Sequence, residues 1–405
     1  MKTDILRHSN HLSYKDDNLF IEETSFLEIG EKFQTPIYCY STKQIKNNFN
    51  ELKNAFRKIK PMICYAVKAN FNKKIIEMLA KIGAGMDVVS GGELKLSLES
   101  GVDSQKIVFS GVGKTEDEIK LAILKNIKQL NVESEEELSE INSICLILKK
   151  KINVSLRVNP NIDAGTHEKI STGRSEDKFG ISKNKILNIF KMYKSNQNIK
   201  INGLSIHIGS QIKELAPFEK AFKEIKSLIL SLKKEGLECQ TLDLGGGFAI
   251  EYDDSEILNI SEYALLVEKT FSDLNLEIIL EPGRFIVGSA GVLLSKVVRT
   301  KKGEKKNFLI IDAGMNNLIR PSLYNAFHKI IPVRRGIKEK TYDIVGPICE
   351  TSDTFLKNQK IQEMKKDDYL IVCSSGAYAA CMASNYNLRG IAKEILINGK
   401  KIFET

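Results

Sequence analysis

Between residues 62 and 281 the chain repeats one pattern eight times: a short apolar stretch, a polar or glycine-rich break, then a helix-like segment. The stretches are MICYAV (62–67), MDVV (86–89), KIVFS (106–110), IKQLNV (127–132), NVSLRV (153–158), GLSIH (203–207), LDLG (242–245) and EIILE (277–281). Several run into Ser/Thr-x-x-Glu, in which hydroxyl and carboxylate satisfy the free amides at a helix start. These are Ser90 with Glu93, Thr115 with Glu118, and Ser134 with Glu137. Eight strand–helix units in roughly 220 residues match a (β/α)8 barrel in count and length. A doubly wound sheet shows the same alternation, and strand number alone does not close a barrel. Ile45, Phe49, Leu52, Phe56 and Ile59 recur at spacings of four and three. That spacing predicts an amphipathic helix over 42–59 leading into the first strand.

After about residue 285 the texture changes to short β-rich runs, FIVGSAGVLLSKVV, NFLIIDAG, YDIVGPIC and DYLIVCSSG. They read as an antiparallel second domain, and HLSYKDDNLFIEETSF near the N-terminus has the same character. The expected architecture is α/β plus all-β: a TIM-type barrel over 37–285, and a discontinuous antiparallel β-barrel or sandwich made of 1–36 and 286–405.

Charge and cysteine content narrow the function classes. The formal charge of +9 comes from lysines scattered along the chain, often beside acids as in KKGEKK and EMKKDD, which reads as a solvated face. No basic helix or interleaved aromatic platform points to nucleic acid, while attraction for a small polyanion is compatible with the charge. No apolar run approaches the ~20 residues of a membrane span. The start, MKTDILRHSN, lacks an apolar signal region, so a cytoplasmic protein is expected. Seven cysteines without a CxxC pair argue against a disulfide framework and against a metal site. Cys349, in the polar sequence CETSD, stands apart from the others.

Catalytic groups of such barrels sit at the C-terminal ends of the strands, where the βα loops form one rim. Those ends carry Lys68, Asp87, Arg157, His207, the run Gly245-Gly246-Gly247 and Glu281. Taken singly each has a plain alternative: a solvated lysine, a satisfied core histidine, a loop acid paired with Arg284, a flexible turn. Taken together they suggest pyridoxal phosphate. The lysine suits the aldehyde, the glycine amides suit the phosphate, His207 can stack on the ring, and Glu281 can face the pyridine nitrogen and keep it protonated.

With those residues placed, the chain resembles the alanine-racemase-like, fold type III class of pyridoxal-phosphate enzymes, and within it the decarboxylases of diaminopimelate. The resemblance runs through YAVKAN (65–70), DVVSGGEL (87–94), RVNP (157–160), HEKISTG with DKFG (167–180) and HIGSQ (207–211). It continues through LGGGF (244–248), EPGRF (281–285), RPSLYNAFH (320–328), CETSD (349–353) and GAYAACMASNYN (376–387). It implies decarboxylation of meso-2,6-diaminopimelate to L-lysine and carbon dioxide.

The resemblance also implies roles. Lys68 carries the cofactor and His207 stacks on it. Glu281 bonds the pyridine nitrogen, with Asp87 and Arg157 nearby. Ser210, Gly246, Gly247, the backbone at Gly283 and Arg284, and Tyr378 hold the phosphate. Arg284, Arg320, Tyr324 and Tyr378 bind substrate, Glu350 takes the distal amino group, and Cys349 is the general acid. Cys349 and Glu350 reach the cofactor of a neighbouring subunit in that family, which implies a homodimer.

Ala249 departs from the glycine that many relatives carry after GGGF, a small change if only the amide of Gly247 must reach the phosphate. HEKISTGRSEDKFG is compatible equally with a lid and with a static loop. Three alternatives are weighed. RPSLYNAFH and CETSD favour the diaminopimelate branch over decarboxylases of ornithine, arginine or carboxynorspermidine. Glu281 argues against a racemase, which places an arginine at the pyridine nitrogen. A non-catalytic homologue usually loses the lysine or the acid, and Lys68 and Cys349 are both present.

Overall fold

In the computed structural model, described over residues 5–163, 172–173, 176–253 and 255–405, the eight apolar stretches become eight parallel strands. They are β1 Met62–Ala66, β2 Gly85–Val88, β3 Ile107–Phe109, β4 Gln129–Val132, β5 Ile152–Asn159, β6 Ile199–Ser205, β7 Thr241–Asp243 and β8 Glu277–Leu280. Each pairs with the next, and β8 returns to β1 through Ile279↔Met62 and Leu280↔Ile63. That last pairing closes a TIM-type barrel and removes the doubly wound alternative. The strand β6 begins four residues before the predicted stretch, and it carries a register irregularity between Ile201 and Gly203.

The helices start where the capping signals place them. Ser90, Thr115 and Ser134 each accept from the backbone amide of the glutamate three residues on. Only Glu118 closes the reciprocal bond to its own cap residue. Glu93 and Glu137 reach one residue further back, to the amides of Val89 and Glu133. The helix predicted over 42–59 ends at Ala55, and Phe56 to Ile59 continue as a turn.

The interior of the barrel is partly polar. Gln129 and Asn131 alternate with Leu130 and Val132 along β4, so both project to one face, and they meet Thr241 and Asp243 of β7 through side-chain hydrogen bonds. Outside the strands, Tyr263 is the hub of an aromatic cluster. Its ring lies 4.8 Å from both Phe218 and Phe248, 5.8 Å from Phe222 and 5.9 Å from Phe56, in edge-on geometries that favour ring pairs.

The chain divides differently from expectation. The barrel unit comprises Asn50–Ala249 and Ile257–Gly283, and the β unit comprises Met1–Phe49, Ile250–Glu256 and Arg284–Thr405. Residues 37–49 leave the expected barrel segment because Ile37–Ser41 is a strand of the β unit. It pairs antiparallel with Gly291–Lys302 and parallel with Lys393–Asn398. Ile250–Glu256 joins the same unit, where Ser374 donates to the carbonyl of Glu251. The sheet is mostly antiparallel, as expected, and Asn307–Ile311 in addition pairs parallel with Glu339–Val345. The N-terminal run forms its own three-stranded antiparallel sheet over Leu12–Ser25. Leu12, Leu19 and Ile21 pack with Ile37, Val292, Leu294 and Ile371 in the core of this unit.

Tyr263 separates packing from hydrogen bonding. Its hydroxyl is buried with no hydrogen-bond partner among the described residues. Tyr263→Ala is expected to destabilise the protein by about 3–5 kcal/mol in urea denaturation. Tyr263→Phe is expected to be neutral or stabilising, because it removes an unsatisfied polar group and keeps the ring. Comparable losses in the two variants would contradict this account.

Candidate active site

Lys68 sits on a single 3-10 turn, Val67–Ala69, that follows β1. The turn is pinned from below: Tyr65 donates to the Asn70 carbonyl at 2.8 Å, and the Asn70 side chain accepts from the Asn72 amide at 2.9 Å. Gly283 lets the EPGR loop approach closely, since a Cβ there would lie 2.9 Å from Ala69 Cβ and 3.1 Å from Ala66 Cβ. The Lys68 ammonium lies 2.6 Å from Asp87 Oδ2 at the end of β2. The lysine side chain is 36% exposed and the Asp87 side chain fully buried, so a reachable amine is tethered to a fixed carboxylate.

Two glycine-bearing loops meet on the same unit. Gly247 has φ of +94°, and a Cβ there would fall 2.4 Å from the Gly209 carbonyl, next to Ser210. A Cβ at Gly246 would fall 2.2 Å from the Glu281 carbonyl. The loops are stitched by Ile212 N to Gly247 O and Ala249 N to Ile212 O, so an alanine at 249 is accommodated. The Gly246 amide donates to His207 Nδ1 at 3.3 Å, which leaves the ring proton on Nε2. Burial, reinforced by the cations of Arg157 and Lys68, holds the His207 pKa well below its usual value, so the imidazole is neutral.

Inside the rim three acids converge. Asn131 Nδ2 donates to Asp243 Oδ2 at 3.0 Å and to Glu281 Oε1 at 3.3 Å, and Ser110 donates to the same Glu281 oxygen at 3.1 Å. Burial pushes the Glu281 carboxyl well above the usual range, and the negative charges of Asp243 and Asp87 add to the effect. Burial likewise raises Asp243, to about 6. Two acids this close cannot both ionise cheaply, so Glu281 keeps its proton while Asp243 ionises first. Further round the rim, Arg157 donates to Glu133 at 2.7 Å and lies over the Phe179 ring at 4.6 Å. Glu133 also accepts from the Gly180 amide at 2.9 Å.

The β unit holds the remaining predicted residues. Arg284 donates through Nη1 to the Tyr252 hydroxyl at 2.6 Å and stacks over Tyr378 at 4.7 Å. Arg320, 7% exposed, lies over Tyr252 at 5.1 Å and Tyr324 at 5.8 Å. Burial lowers the Arg320 pKa, and the nearby charge of Arg284 lowers it further. Arg320 has no ion-paired carboxylate among the described residues, and such a cation favours an incoming anion. Cys349 and Glu350 are exposed, and the Cys349 amide donates to Asn387 Oδ1 at 3.2 Å. Asp353 shapes their loop by accepting from the Ile348 and Met315 amides.

Sequence reasoning passed over Ser110, Asn131, Glu133, Asp243, Tyr252 and His328. The strand-end rule that found Lys68 reaches Ser110 and Glu133 equally. Half of the HEKISTGRSEDKFG segment, residues 167–171 and 174–175, lies outside the described residues. Among the described residues no cluster of three or more His, Cys, Asp or Glu could hold a metal ion, and no helix is long and apolar enough to cross a membrane.

Residues 42–288 match the family model described as pyridoxal-dependent decarboxylase, pyridoxal binding domain, which is the class that this barrel rim defines. Over nearly its whole length the chain is 42% identical to the diaminopimelate decarboxylase of Aquifex aeolicus, covering 98% of this chain and 95% of that one. The crystal structure of diaminopimelate decarboxylase from Helicobacter pylori complexed with L-lysine superposes with a TM-score of 0.91 at 40% identity, covering 94% of this chain and 95% of that one. The enzyme from M. jannaschii in co-complex with L-lysine superposes at 0.94 and 37%, covering 99% and 95%. The chain belongs to the diaminopimelate decarboxylase family.

The buried acid pair gives a pH dependence with a definite sign. A carboxyl whose pKa is higher folded than unfolded binds more protons when folded. Its stabilisation is full below the unfolded value of about 4.5 and is lost as pH rises towards the folded value. Urea denaturation of the cofactor-free protein is expected to show stability falling above pH ~5, and Glu281→Gln is expected to flatten that fall. Parallel curves for the two proteins would remove Glu281 as its source.

Proposed function

We propose that this protein decarboxylates meso-2,6-diaminopimelate to L-lysine and carbon dioxide with pyridoxal 5′-phosphate as cofactor. The observation that carries this reading is the Lys68–Asp87 pair at the barrel rim, in a chain whose relatives over 98% of its length are diaminopimelate decarboxylases. The residues present fit the cofactor: a reachable amine for the aldehyde, a loop with Gly246 and Gly247 for the phosphate, and a protonated acid, Glu281, for the ring nitrogen.

When bound, pyridoxal phosphate supplies an aldehyde that condenses with amines and a ring that accepts the electron pair left as carbon dioxide departs. Lys68 would hold the group through its amine, which Asp87 keeps in place. Glu281 would hold the ring nitrogen, and its raised pKa leaves it a proton to offer there. His207, neutral in its buried site, would lie against the ring without adding a charge beside it. Arg157, oriented by Glu133, supports this side of the cofactor.

Ser210, the amides at Gly246, Gly247, Gly283 and Arg284, and Tyr378 take the phosphate. Arg284, Arg320, Tyr324 and Tyr378 hold the substrate, whose distal ammonium pairs with Glu350. The carbon–carboxylate bond breaks, carbon dioxide leaves, and the Cys349 thiol gives its proton to the carbon that lost it. Water then returns a proton to the thiolate. Seven free thiols, one of them assigned this role, suit the reducing cytoplasm.

The reading includes a homodimer in which Cys349 and Glu350 serve the partner's cofactor. Their exposure supports it, as do the exposed Tyr386 and Leu388 beside Asn387.

Purified protein is expected to absorb near ~420 nm, as a lysine Schiff base to pyridoxal does, and to form equimolar lysine and carbon dioxide from meso-diaminopimelate. Lys68→Ala should lose both. A retained band without lysine would move the substrate to a sister decarboxylase, and no band even with added cofactor would refute the reading. Mixing inactive Lys68→Ala and Cys349→Ala subunits should restore roughly a quarter of wild-type activity if sites are shared across a two-fold interface. No recovery from a mixed dimer would make each site complete within one chain.

A further inference from the structure

The β unit contains a buried histidine that the proposal above leaves without a task. His328 follows Tyr324 by four residues in RPSLYNAFH and is 1% exposed. Its Nδ1 lies 2.9 Å from the Cys373 carbonyl oxygen, and its Nε2 lies 3.2 Å from Arg320 Nε. A carbonyl only accepts and a guanidinium N–H only donates. The ring proton therefore sits on Nδ1, and the Nε2 lone pair receives the Arg320 Nε–H. Both ring nitrogens are then used and the ring is neutral. Burial, with the charge of Arg320 behind it, pushes the His328 pKa down to about 3, so this form persists at ordinary pH.

The ring itself is held. Tyr252 meets it edge-on at 4.9 Å, and the same tyrosine lies against Arg320 and accepts from Arg284. The choice of acceptor has a chemical consequence. A carboxylate at this position would orient Arg320 equally well but would cancel its charge. A neutral imidazole fixes the guanidinium plane and leaves the positive charge for another anion.

We propose that His328 is a positioning residue for substrate recognition: its Nε2 lone pair clamps the Arg320 Nε–H and presents both Nη groups as a fork for a substrate carboxylate. This rests on the reading of Arg320 as a carboxylate ligand.

The test uses the holoenzyme. His328→Asn keeps an amide N–H near the position of Nδ1, where it can still serve the Cys373 carbonyl, but leaves Arg320 Nε without an acceptor. His328→Gln extends an amide oxygen towards the position of Nε2 and restores that acceptor. In His328→Asn, KM for meso-diaminopimelate and the inhibition constant of L-lysine are expected to rise about tenfold, the effect of a lost charge-assisted hydrogen bond, with kcat nearly unchanged. Inhibition by 1,5-diaminopentane, which has no carboxylate, should not move, and His328→Gln should recover most of the loss.

Equal effects in the two variants, or an equal loss of diaminopentane binding, would reduce His328 to a packing role and overturn the proposal. Arg320→Lys separates the layers, because it keeps the charge and loses the fork. An unchanged KM there would refute the carboxylate assignment itself. A raised KM there beside a wild-type His328→Asn would refute only the role of His328. Should His328→Asn fail to fold, ¹⁵N resonances of the His328 ring in the wild-type protein decide the matter. A proton on Nδ1 alone at pH 7 supports the clamp, and a proton on Nε2 overturns it.

Discussion

Everything at the barrel rim depends on the two residue pairs that join β8 to β1. Lys68 follows the first strand and Glu281 the last, so before closure they belong to opposite ends of a sheet. Pairing Ile279 with Met62 makes them neighbours on a ring, and the EPGR loop then lies against the lysine turn with only Gly283 between. Closure also creates the polar interior in which Asn131 of the fourth strand can reach Asp243 and Glu281 together. The raised pKa of Glu281 is thus a property of the closed barrel as much as of the residue.

The two units solve a common electrostatic problem in opposite ways. In the barrel, acids are crowded until one keeps its proton. In the β unit, Arg284 and Arg320 sit among Tyr252, Tyr324 and Tyr378, and Arg320 is held by a neutral imidazole. Hydroxyls, ring faces and a lone pair orient a cation without neutralising it. Each arrangement carries a cost in unfavourable burial that a ligand of the right charge relieves.

Much of this was legible in the amino-acid sequence, for physical reasons. Parallel strands covered by helices are apolar on both faces, so the eight stretches stand out, and rim residues follow directly from where each stretch stops. The reading failed where polarity lay inside a strand. Gln129, Asn131 and Asp243 interrupt apolar stretches, and their partners lie across the barrel, a relation invisible before closure. It also failed for strand Ile37–Ser41, which looks like the start of the barrel and pairs elsewhere. Nothing local distinguishes a parallel from an antiparallel partner, so the two parallel pairings within the mostly antiparallel β unit were not legible. Tyr252 and His328 were missed because neither ends a strand, and their significance lies in which arginine each one touches.

The discontinuity of the β unit bears on how the chain comes off the ribosome. Cys39 pairs with Val292 on one side and Ile395 on the other. An emerging strand must therefore wait with both edges unpaired while the whole barrel is synthesised, and with one edge still open for a further hundred residues or so, a contact order that slows folding. Exposed strand edges invite pairing with other nascent chains. The first fifty residues are the segment most in need of protection during biosynthesis, although they contribute none of the groups assigned to the chemistry.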